Sequence, residues 1–132
     1  MPAIHDAPDV RRIILSERDL PPDEVRALLA PFGLRDSAAA DSVLRDLADM
    51  QASREGLADL LPDLLEAARR SPDPDHALTR FHAYCGARVD PHTFFATLQS
   101  VPHLLDDLLF IFGASDYLSS ILIRHPEYLS WL

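Results

Sequence analysis

Two side chains with metal-binding chemistry, His82 and Cys85, stand three positions apart in the sequence. On one predicted helix this spacing places both on the same face, where they could share a metal ion. A structural zinc site needs four ligands, however, and Cys85 is the only cysteine. The remaining candidate histidines are scattered over different helices at unhelpful spacings: His76, His92, His103 and His125. We therefore interpret the pair as a buried thiol beside a half-buried imidazole, and a zinc-dependent helical domain is the less favoured alternative.

Acidic residues occur in two pairs that could suggest magnesium binding. Asp106 and Asp107 are adjacent, and adjacent residues on a helix diverge by about 100°, so they do not face one ion together. We interpret them as part of a solvated helix face. Asp73 and Asp75 flank a proline, and this pattern is typical of a turn followed by a helix start.

Motifs for nucleophilic catalysis and phosphate binding are absent from the sequence. No serine stands in a G-x-S-x-G motif, and the four glycines form neither a P-loop nor a G-x-G-x-x-G motif. The run Gly113-Ala114-Ser115-Asp116 has the small residues of a catalytic loop, but it is better explained as a helix end followed by a helix N-cap. The sequence therefore predicts no catalytic residue, no metal ligand and no cofactor-binding residue.

Charge and hydropathy exclude two classes of partner. The net charge is −9, and the 12 basic residues, all arginine, are spread along the chain, whereas nucleic-acid binding normally needs a basic patch. The longest nearly charge-free run, residues 108–123, is interrupted by Asp116 and is shorter than the roughly 20 apolar residues of a membrane span. No secretory signal pattern is present at Met1. We expect no nucleic acid or membrane partner and a cytoplasmic location.

The apolar periodicity predicts an all-α fold, an irregular bundle or array of about seven or eight short helices. We divide the chain into a poorly ordered or irregular segment, residues 1–20, and a helical domain, residues 21–132. The first helix should begin in the run Pro21-Pro22-Asp23 and stop at Pro31 and Gly33. The next should begin at Asp36 or Ser37 and break or kink at Pro62, with one apolar seam along it: Val43, Leu47, Met50, Leu57 and Leu61.

Later helix boundaries are predicted from proline, glycine and capping residues. One helix follows the turn at residues 71–75 and ends at Gly86, another begins at Asp90-Pro91, and a third begins at Val101-Pro102 and ends at Gly113. Ser115 should cap the helix after that. The expected core positions are Ala77, Leu78, Phe81, Tyr84, Phe94, Phe95, Leu98, Leu104, Leu105, Leu108, Leu109 and Phe112. The helix that Ser115 caps bears Leu118, Ile121 and Leu122.

Aromatic residues are concentrated towards the C-terminal end: Phe110, Phe112, Tyr117, Tyr128 and Trp131. A large uncovered apolar surface usually marks an interface. The chain also ends on Trp131 and Leu132 without a polar tail, whereas natural domain ends are usually polar. We therefore expect the chain to be truncated, and part of this aromatic group to pack against a downstream domain.

The C-terminal stretch, residues 112–132, resembles the segment that precedes the first nucleotidyltransferase domain of glutamine synthetase adenylyltransferases. The family pattern runs from glycine, a small residue and serine through an aliphatic stretch to Arg-His-Pro-Glu and a final Trp-Leu. The matching residues are Gly113, Ser115, Leu118, Leu122, Arg124, His125, Pro126, Glu127, Trp131 and Leu132. Residues 61–81 resemble the helical N-terminal region of the family more weakly.

The resemblance implies a bifunctional parent enzyme of nitrogen-metabolism regulation. Such enzymes transfer AMP from ATP to a tyrosine of glutamine synthetase and remove it by phosphorolysis, under the control of glutamine and a PII signalling protein. Their catalytic motif, Gly-Ser-x-x-Asp-x-Asp, binds Mg²⁺ and is missing from this sequence. ATP, Mg²⁺, glutamine synthetase and the PII protein are thus expected for the parent, and the partner of this segment is the downstream nucleotidyltransferase domain. The signature residues are expected to pack between domains.

A second interpretation is a stand-alone helical protein-interaction module without catalytic activity. It predicts a compact monomer or closed dimer with Trp131 buried. The truncated segment instead predicts a partly exposed Trp131 or self-association through the surface of residues 110–132.

Overall fold

The computed structural model of the chain describes residue 13 and residues 20–50, 54–88 and 91–131. These residues form seven α-helices and two 3₁₀ helices, with no β-strand among them, which confirms the predicted all-α class. The helices are α1 (Pro22–Leu29), α2 (Ser37–Met50), α3 (Arg54–Arg70), α4 (Pro74–Ala87), α5 (Pro91–Ser100), α6 (Pro102–Ala114) and α7 (Asp116–Arg124). The 3₁₀ helices are Ala30–Phe32 and Pro126–Trp131.

Helix α1 begins and ends where the sequence predicts. Pro22 occupies the first turn, where its missing N–H costs nothing. Val25, Leu28 and Leu29 are buried. The short 3₁₀ helix comes next, and Gly33 ends it with a left-handed backbone (φ 78°), a conformation that favours glycine.

The single long seam predicted between residues 37 and 61 is divided between two helices, α2 and α3. Within α2 the buried stripe is Ala40, Leu44, Leu47 and Ala48, whereas Val43 is only half-buried. The side chains of Met50 and Leu57 lie outside the described residues. Leu47 and Leu61 of the predicted seam are completely buried, whereas near Val43 the fully buried residue is its neighbour Leu44.

Of the break or kink predicted at Pro62, the break is wrong, since α3 continues through the proline from Arg54 to Arg70. A proline inside a helix costs about 3 kcal/mol because it lacks an N–H and its ring collides with a carbonyl. Leu60, Leu61, Leu64 and Leu65 surround it and are almost completely buried, while Pro62 itself is exposed. The burial of these four leucines offsets the cost of the proline.

Helix α4 lies at the centre of the array and contacts α2, α3, α5, α6 and α7. Its buried residues include the four that the sequence predicts (Ala77, Leu78, Phe81 and Tyr84) together with Cys85. The prediction that Gly86 ends this helix is wrong. The helix continues to Ala87, and Arg88 takes an extended backbone instead of the left-handed one that a glycine cap provides.

Aromatic rings from three helices fill the centre of the core. Phe94 lies 5.2 Å from Tyr84 in an edge-to-face arrangement and 6.1 Å from both Phe81 and Phe95, measured between ring centroids. Phe112 of α6 lies 5.7 Å from Tyr84. The sequence prediction that these rings form the core is confirmed, since all five are buried.

The predicted irregular segment, residues 1–20, lies largely outside the described residues. Ile13 is an exception and is 2% exposed within the hydrophobic core. Leu20 packs against the same core. Within the described part of the chain, no helix is both long enough and apolar enough to cross a membrane.

Candidate interaction site

Gly113, the first residue of the C-terminal signature, provides a close approach between α6 and the turn before α4. A Cβ atom at this position would lie 3.1 Å from the backbone oxygen of Asp73 and would also collide with Ser71. The helix continues one residue further to Ala114, so Gly113 does not end it by a left-handed backbone as predicted. The glycine is required for packing between elements.

Ser115 and Asp116 organise the junction between α6 and α7. The Oγ atom of Ser115 accepts a hydrogen bond from the backbone N–H of Leu118 at 3.1 Å, which confirms the predicted N-cap. Arg80 of α4 donates to the backbone oxygen of Phe112 at 2.7 Å and also pairs with Asp116. One arginine therefore connects the end of α6, the start of α7 and the central helix.

Pro126 is connected to the central helix through Tyr84. The hydroxyl of Tyr84 donates to the backbone oxygen of Pro126 at 2.9 Å and accepts from Nη1 of Arg88 at 2.8 Å. Burial raises the pKa of Tyr84, and the nearby Arg88 partly offsets this rise. The C-terminal 3₁₀ helix is thus attached to the core by a hydrogen bond from a buried ring.

Arg124 and His125, the two basic residues of the signature, lie at the surface. His125 stacks on Tyr128 with the ring centroids 4.8 Å apart, and its Nδ1 lies 3.6 Å from a carboxylate oxygen of Glu127. Arg124 is exposed, and its Nε donates to the backbone oxygen of Ser120 at 3.4 Å. Leu132 and the side chain of Trp131 lie outside the described residues, so the predicted exposure of Trp131 stays a prediction.

Three large apolar side chains are exposed around the α6–α7 junction. Phe110 is 54% exposed, Tyr117 is 73% exposed and Leu118 is 47% exposed. We call these three residues the junction surface. Leu118, a signature residue expected to pack between domains, is thus uncovered here, whereas Leu122 of the same helix is buried and Ile121 is half-buried. Large apolar side chains exposed on two contacting helices mark a candidate interface.

The residues with metal-binding chemistry are engaged elsewhere. Burial raises the pKa of the Cys85 thiol well above its usual value, which disfavours the thiolate that a metal requires. His82 lies on the same helix, and its Nε2 is 3.5 Å from a carboxylate oxygen of Asp46. Within residues 20–50, 54–88 and 91–131, no group of three or more His, Cys, Asp or Glu residues could hold a metal ion.

Each member of the two acidic pairs has a position that the structure explains. Asp73 caps α4 by accepting from the backbone N–H of His76 at 3.2 Å. The carboxylate of Asp75 accepts from the backbone N–H groups of Arg35 and Asp36, at 2.9 and 3.0 Å. Asp106 and Asp107 are exposed, as predicted. Asp106 pairs with Arg70 at 3.3 Å.

Sequence reasoning did not identify the roles of Arg80, Arg88 and Asp75. The partners of Arg80 and Asp75 are 32 to 40 residues away in the chain. Arg88 binds the hydroxyl of Tyr84, which in turn donates to Pro126, 42 residues from Tyr84. A single sequence contains no signal for such pairs. The arrangement as a whole defines an all-α array in which residues of the C-terminal signature connect helix ends and leave an apolar surface uncovered.

Comparison with known proteins identifies the relatives of this array. The chain is 35% identical over 116 residues to the bifunctional glutamine synthetase adenylyltransferase/adenylyl-removing enzyme of Stenotrophomonas maltophilia, a match that covers 83% of this chain and 12% of that protein. It is 33% identical over 105 residues to the same enzyme of Chromobacterium violaceum, covering 74% of this chain and 12% of that protein. A Bartonella quintana enzyme of the same name is 38% identical over 75 residues, which is 57% of this chain and 8% of the enzyme.

These matches confirm the resemblance seen in the sequence: the chain is a relative of the glutamine synthetase adenylyltransferases and corresponds to a segment of them. The chain spans only about 12% of the length of the Stenotrophomonas maltophilia and Chromobacterium violaceum relatives. No protein-family model matches the chain. No solved structure matches it either.

Proposed function

We propose that this chain is a non-catalytic helical segment of an adenylyltransferase, equivalent to the N-terminal region that precedes a nucleotidyltransferase domain. The activity in this proposal is that of the relatives, which are named glutamine synthetase adenylyltransferase/adenylyl-removing enzymes. In the proposed parent, AMP passes from ATP to a tyrosine of glutamine synthetase and is removed by phosphorolysis. ATP, Mg²⁺, glutamine synthetase and the PII signalling protein belong to that parent, and its location would be the cytoplasm.

One observation carries the non-catalytic role. The signature residues Gly113, Ser115 and Pro126 each make a contact that holds elements of the array together. Leu118 belongs to the same signature, but it is 47% exposed beside a junction at which Phe110 and Tyr117 are exposed as well. A signature that combines internal packing with an uncovered apolar surface supports a role in joining domains.

The proposed occupant of the junction surface is the nucleotidyltransferase domain. The surface consists of three exposed apolar side chains, and the carboxylate of Asp107 lies exposed on α6, three residues before Phe110 in the sequence. A catalytic domain that binds the phosphates of ATP must carry positive charge or metal ions near its site. The junction surface, with the carboxylate of Asp107 near it, would complement a nucleotidyltransferase domain that carries positive charge near the contact.

A binding experiment tests the docking role. The nucleotidyltransferase domain of the Stenotrophomonas maltophilia relative would be titrated with this chain by calorimetry. The double variant F110E/L118E should weaken binding at least about a hundredfold, since it places two charges against a desolvated apolar contact. The control variant A27E adds a charge at an exposed position of α1 and should bind as the unchanged chain does. Equal binding by F110E/L118E would refute the docking role.

A second experiment tests the absence of catalysis. The chain would be incubated with glutamine synthetase, Mg²⁺ and ATP carrying a label in its α-phosphate. We expect no label on glutamine synthetase above the level without the chain. Labelling that depends on the chain and on Mg²⁺ would contradict the proposal.

The alternative, a stand-alone helical interaction module, shares the junction surface but predicts a different solution behaviour. It requires a compact monomer or closed dimer with Trp131, the only tryptophan, buried. A fluorescence maximum at short wavelength with little acrylamide quenching would favour this module. A solvent-exposed emission, or self-association that F110E/L118E removes, would favour the segment of a larger enzyme.

A further inference from the structure

A cleft of about 300 Å³ lies between the end of α4, helix α5, the start of α6 and the C-terminal 3₁₀ helix. It is separate from the junction surface and shares no residue with it. Among the described residues, its walls combine the charged side chains of Arg88 and Glu127 with the hydroxyl of Thr97 and four apolar residues. The lining residues used below are Arg88, Phe94, Thr97, Leu104, Glu127 and Leu129.

The cation of this cleft, Arg88, is half-buried and makes no ion pair with a carboxylate of the described residues. Its guanidinium carbon lies 4.7 Å from the ring centroid of Phe94 and 5.7 Å from that of Tyr84. Nη1 donates to the Tyr84 hydroxyl at 2.8 Å, and Nε is buried without an acceptor. A guanidinium carries five N–H donors, so the Nη2 donors remain available to an anion.

The electrostatic situation of Arg88 favours a bound anion. Two aromatic faces and the Tyr84 hydroxyl replace part of the water around the charge, and such contacts recover only a fraction of the hydration that is lost. A carboxylate at the cleft would supply charge-assisted hydrogen bonds to a guanidinium whose position the two rings already fix.

The other walls select the kind of anion. Phe94, Leu104 and Leu129 offer apolar surface, and the hydroxyl of Thr97 already donates to the backbone oxygen of Thr93 at 3.0 Å. Glu127 contributes a negative charge at the cleft, although its carboxylate also lies 3.6 Å from His125. One arginine beside one glutamate disfavours a doubly charged phosphate and tolerates a single negative charge.

We propose that this cleft binds a small organic carboxylate, with the carboxylate on the Nη2 side of Arg88 and its apolar part against Phe94, Leu104 and Leu129. The inference goes beyond the docking role and does not depend on it. It assigns to this helical array a ligand site that lies apart from the surface proposed for the neighbouring domain.

The test is a titration of the 132-residue chain with benzoate at pH 7, where benzoate is ionised. The Nε–H signal of Arg88 and the methyl signals of Leu104 and Leu129 would be followed by NMR. We expect these signals to move together and to saturate. Benzamide has the same shape without the charge and should bind at least about tenfold more weakly. Inorganic phosphate should bind more weakly than benzoate as well.

Variants separate binding from folding. R88Q should abolish the saturable shifts of the Leu104 and Leu129 signals. R88K should retain part of the affinity for benzoate. The control R70Q, at an exposed arginine outside this cleft, should bind benzoate as tightly as the unchanged chain does. Thermal unfolding of each variant shows whether it is folded, and R88K answers the question if R88Q is not. Equal affinity for benzoate and benzamide, unchanged binding by R88Q, or tighter binding of phosphate than of benzoate would overturn the proposal.

Discussion

Gly113 lies so close to Ser71 that a Cβ atom at position 113 would stand 2.5 Å from the Oγ atom of Ser71. Ser71 cannot easily move away, because it is buried and its hydroxyl donates to the backbone oxygen of Ala68 at 2.7 Å. The contact joins α6 to the turn between α3 and α4. Overpacking at a site with no free space typically costs about 1–3 kcal/mol.

We therefore expect G113A to lower the free energy of unfolding by about 2–3 kcal/mol, which is measurable by urea denaturation. The matched control is G86A, because Gly86 is exposed inside α4. Alanine is the better helix former, so G86A should raise stability by about 0.5–1 kcal/mol. If both variants change stability in the same direction, the close approach of Gly113 is not the reason for a glycine at this position.

Arg80 provides the second prediction, because its Nη1 donates to the backbone oxygen of Phe112 at 2.7 Å. Hydrogen bonds that involve a charged group contribute about 1.5–3 kcal/mol, and R80A should lower the free energy of unfolding by about that amount. The ion pair with Asp116 should contribute less, because that carboxylate is largely exposed, and D116N should cost at most about 1 kcal/mol.

Arg26 supplies the control for Arg80. It forms an exposed pair with Asp23 at 3.9 Å within α1, so R26A should change stability by no more than about 0.5 kcal/mol. Chemical denaturation of the three variants ranks the contributions. If R80A lowers the free energy of unfolding no more than R26A does, the guanidinium of Arg80 does not stabilise the end of α6.

The helix boundaries and the core show how far a single sequence can predict the fold. Helix starts at Pro22, Pro102 and Ser115 were predictable because proline at the first turn and a serine cap act within one turn of the chain. The aromatic core was predictable from helical periodicity. The ends of α4 and α6 were not, since a glycine signals a helix end only where its backbone becomes left-handed, and the sequence does not show this.

The interaction site was predictable only in part. The signature residues and the expectation of an uncovered aromatic surface came from the sequence, and Phe110 and Tyr117 are exposed. The side of α7 that faces the core was not predicted: Ser119 and Leu122 are buried, while Leu118 is exposed. Arg88 could not be predicted at all, since the cleft that it lines is formed by segments distant in sequence.

Cys85 should make stability depend on pH in the alkaline range. Burial raises the pKa of the folded thiol above its ordinary value of 9.0, so the native state keeps a proton that the unfolded chain releases. The stabilisation is complete below about pH 8 and declines as pH rises above 9.0, at no more than about 1.4 kcal/mol per pH unit. Tyr84, whose pKa is also raised, acts in the same direction above its ordinary value of 10.0.

The measurement is the free energy of unfolding at pH 7, 8, 9 and 10 for the unchanged chain and C85A. C85A removes the thiol and should have a flatter profile between pH 8 and pH 10, even though the smaller side chain lowers its stability at every pH. Profiles that fall in parallel would show that Cys85 contributes nothing to the alkaline loss.

Pro62 gives the last prediction, because α3 retains a proline at an exposed position within its interior. The missing N–H leaves the carbonyl four residues earlier, that of Ala58, without its usual helical donor. P62A restores that donor and removes the ring, and proline is about 3 kcal/mol less favourable than alanine in a helix interior. We expect P62A to raise the free energy of unfolding by about 1–3 kcal/mol, measured by urea denaturation.

P31A is the control variant. Pro31 lies in the 3₁₀ helix after α1, where no α-helical hydrogen bond is lost, so P31A should be neutral or slightly destabilising. A loss of stability in P62A would mean that the proline, rather than the buried leucines around it, determines the course of α3.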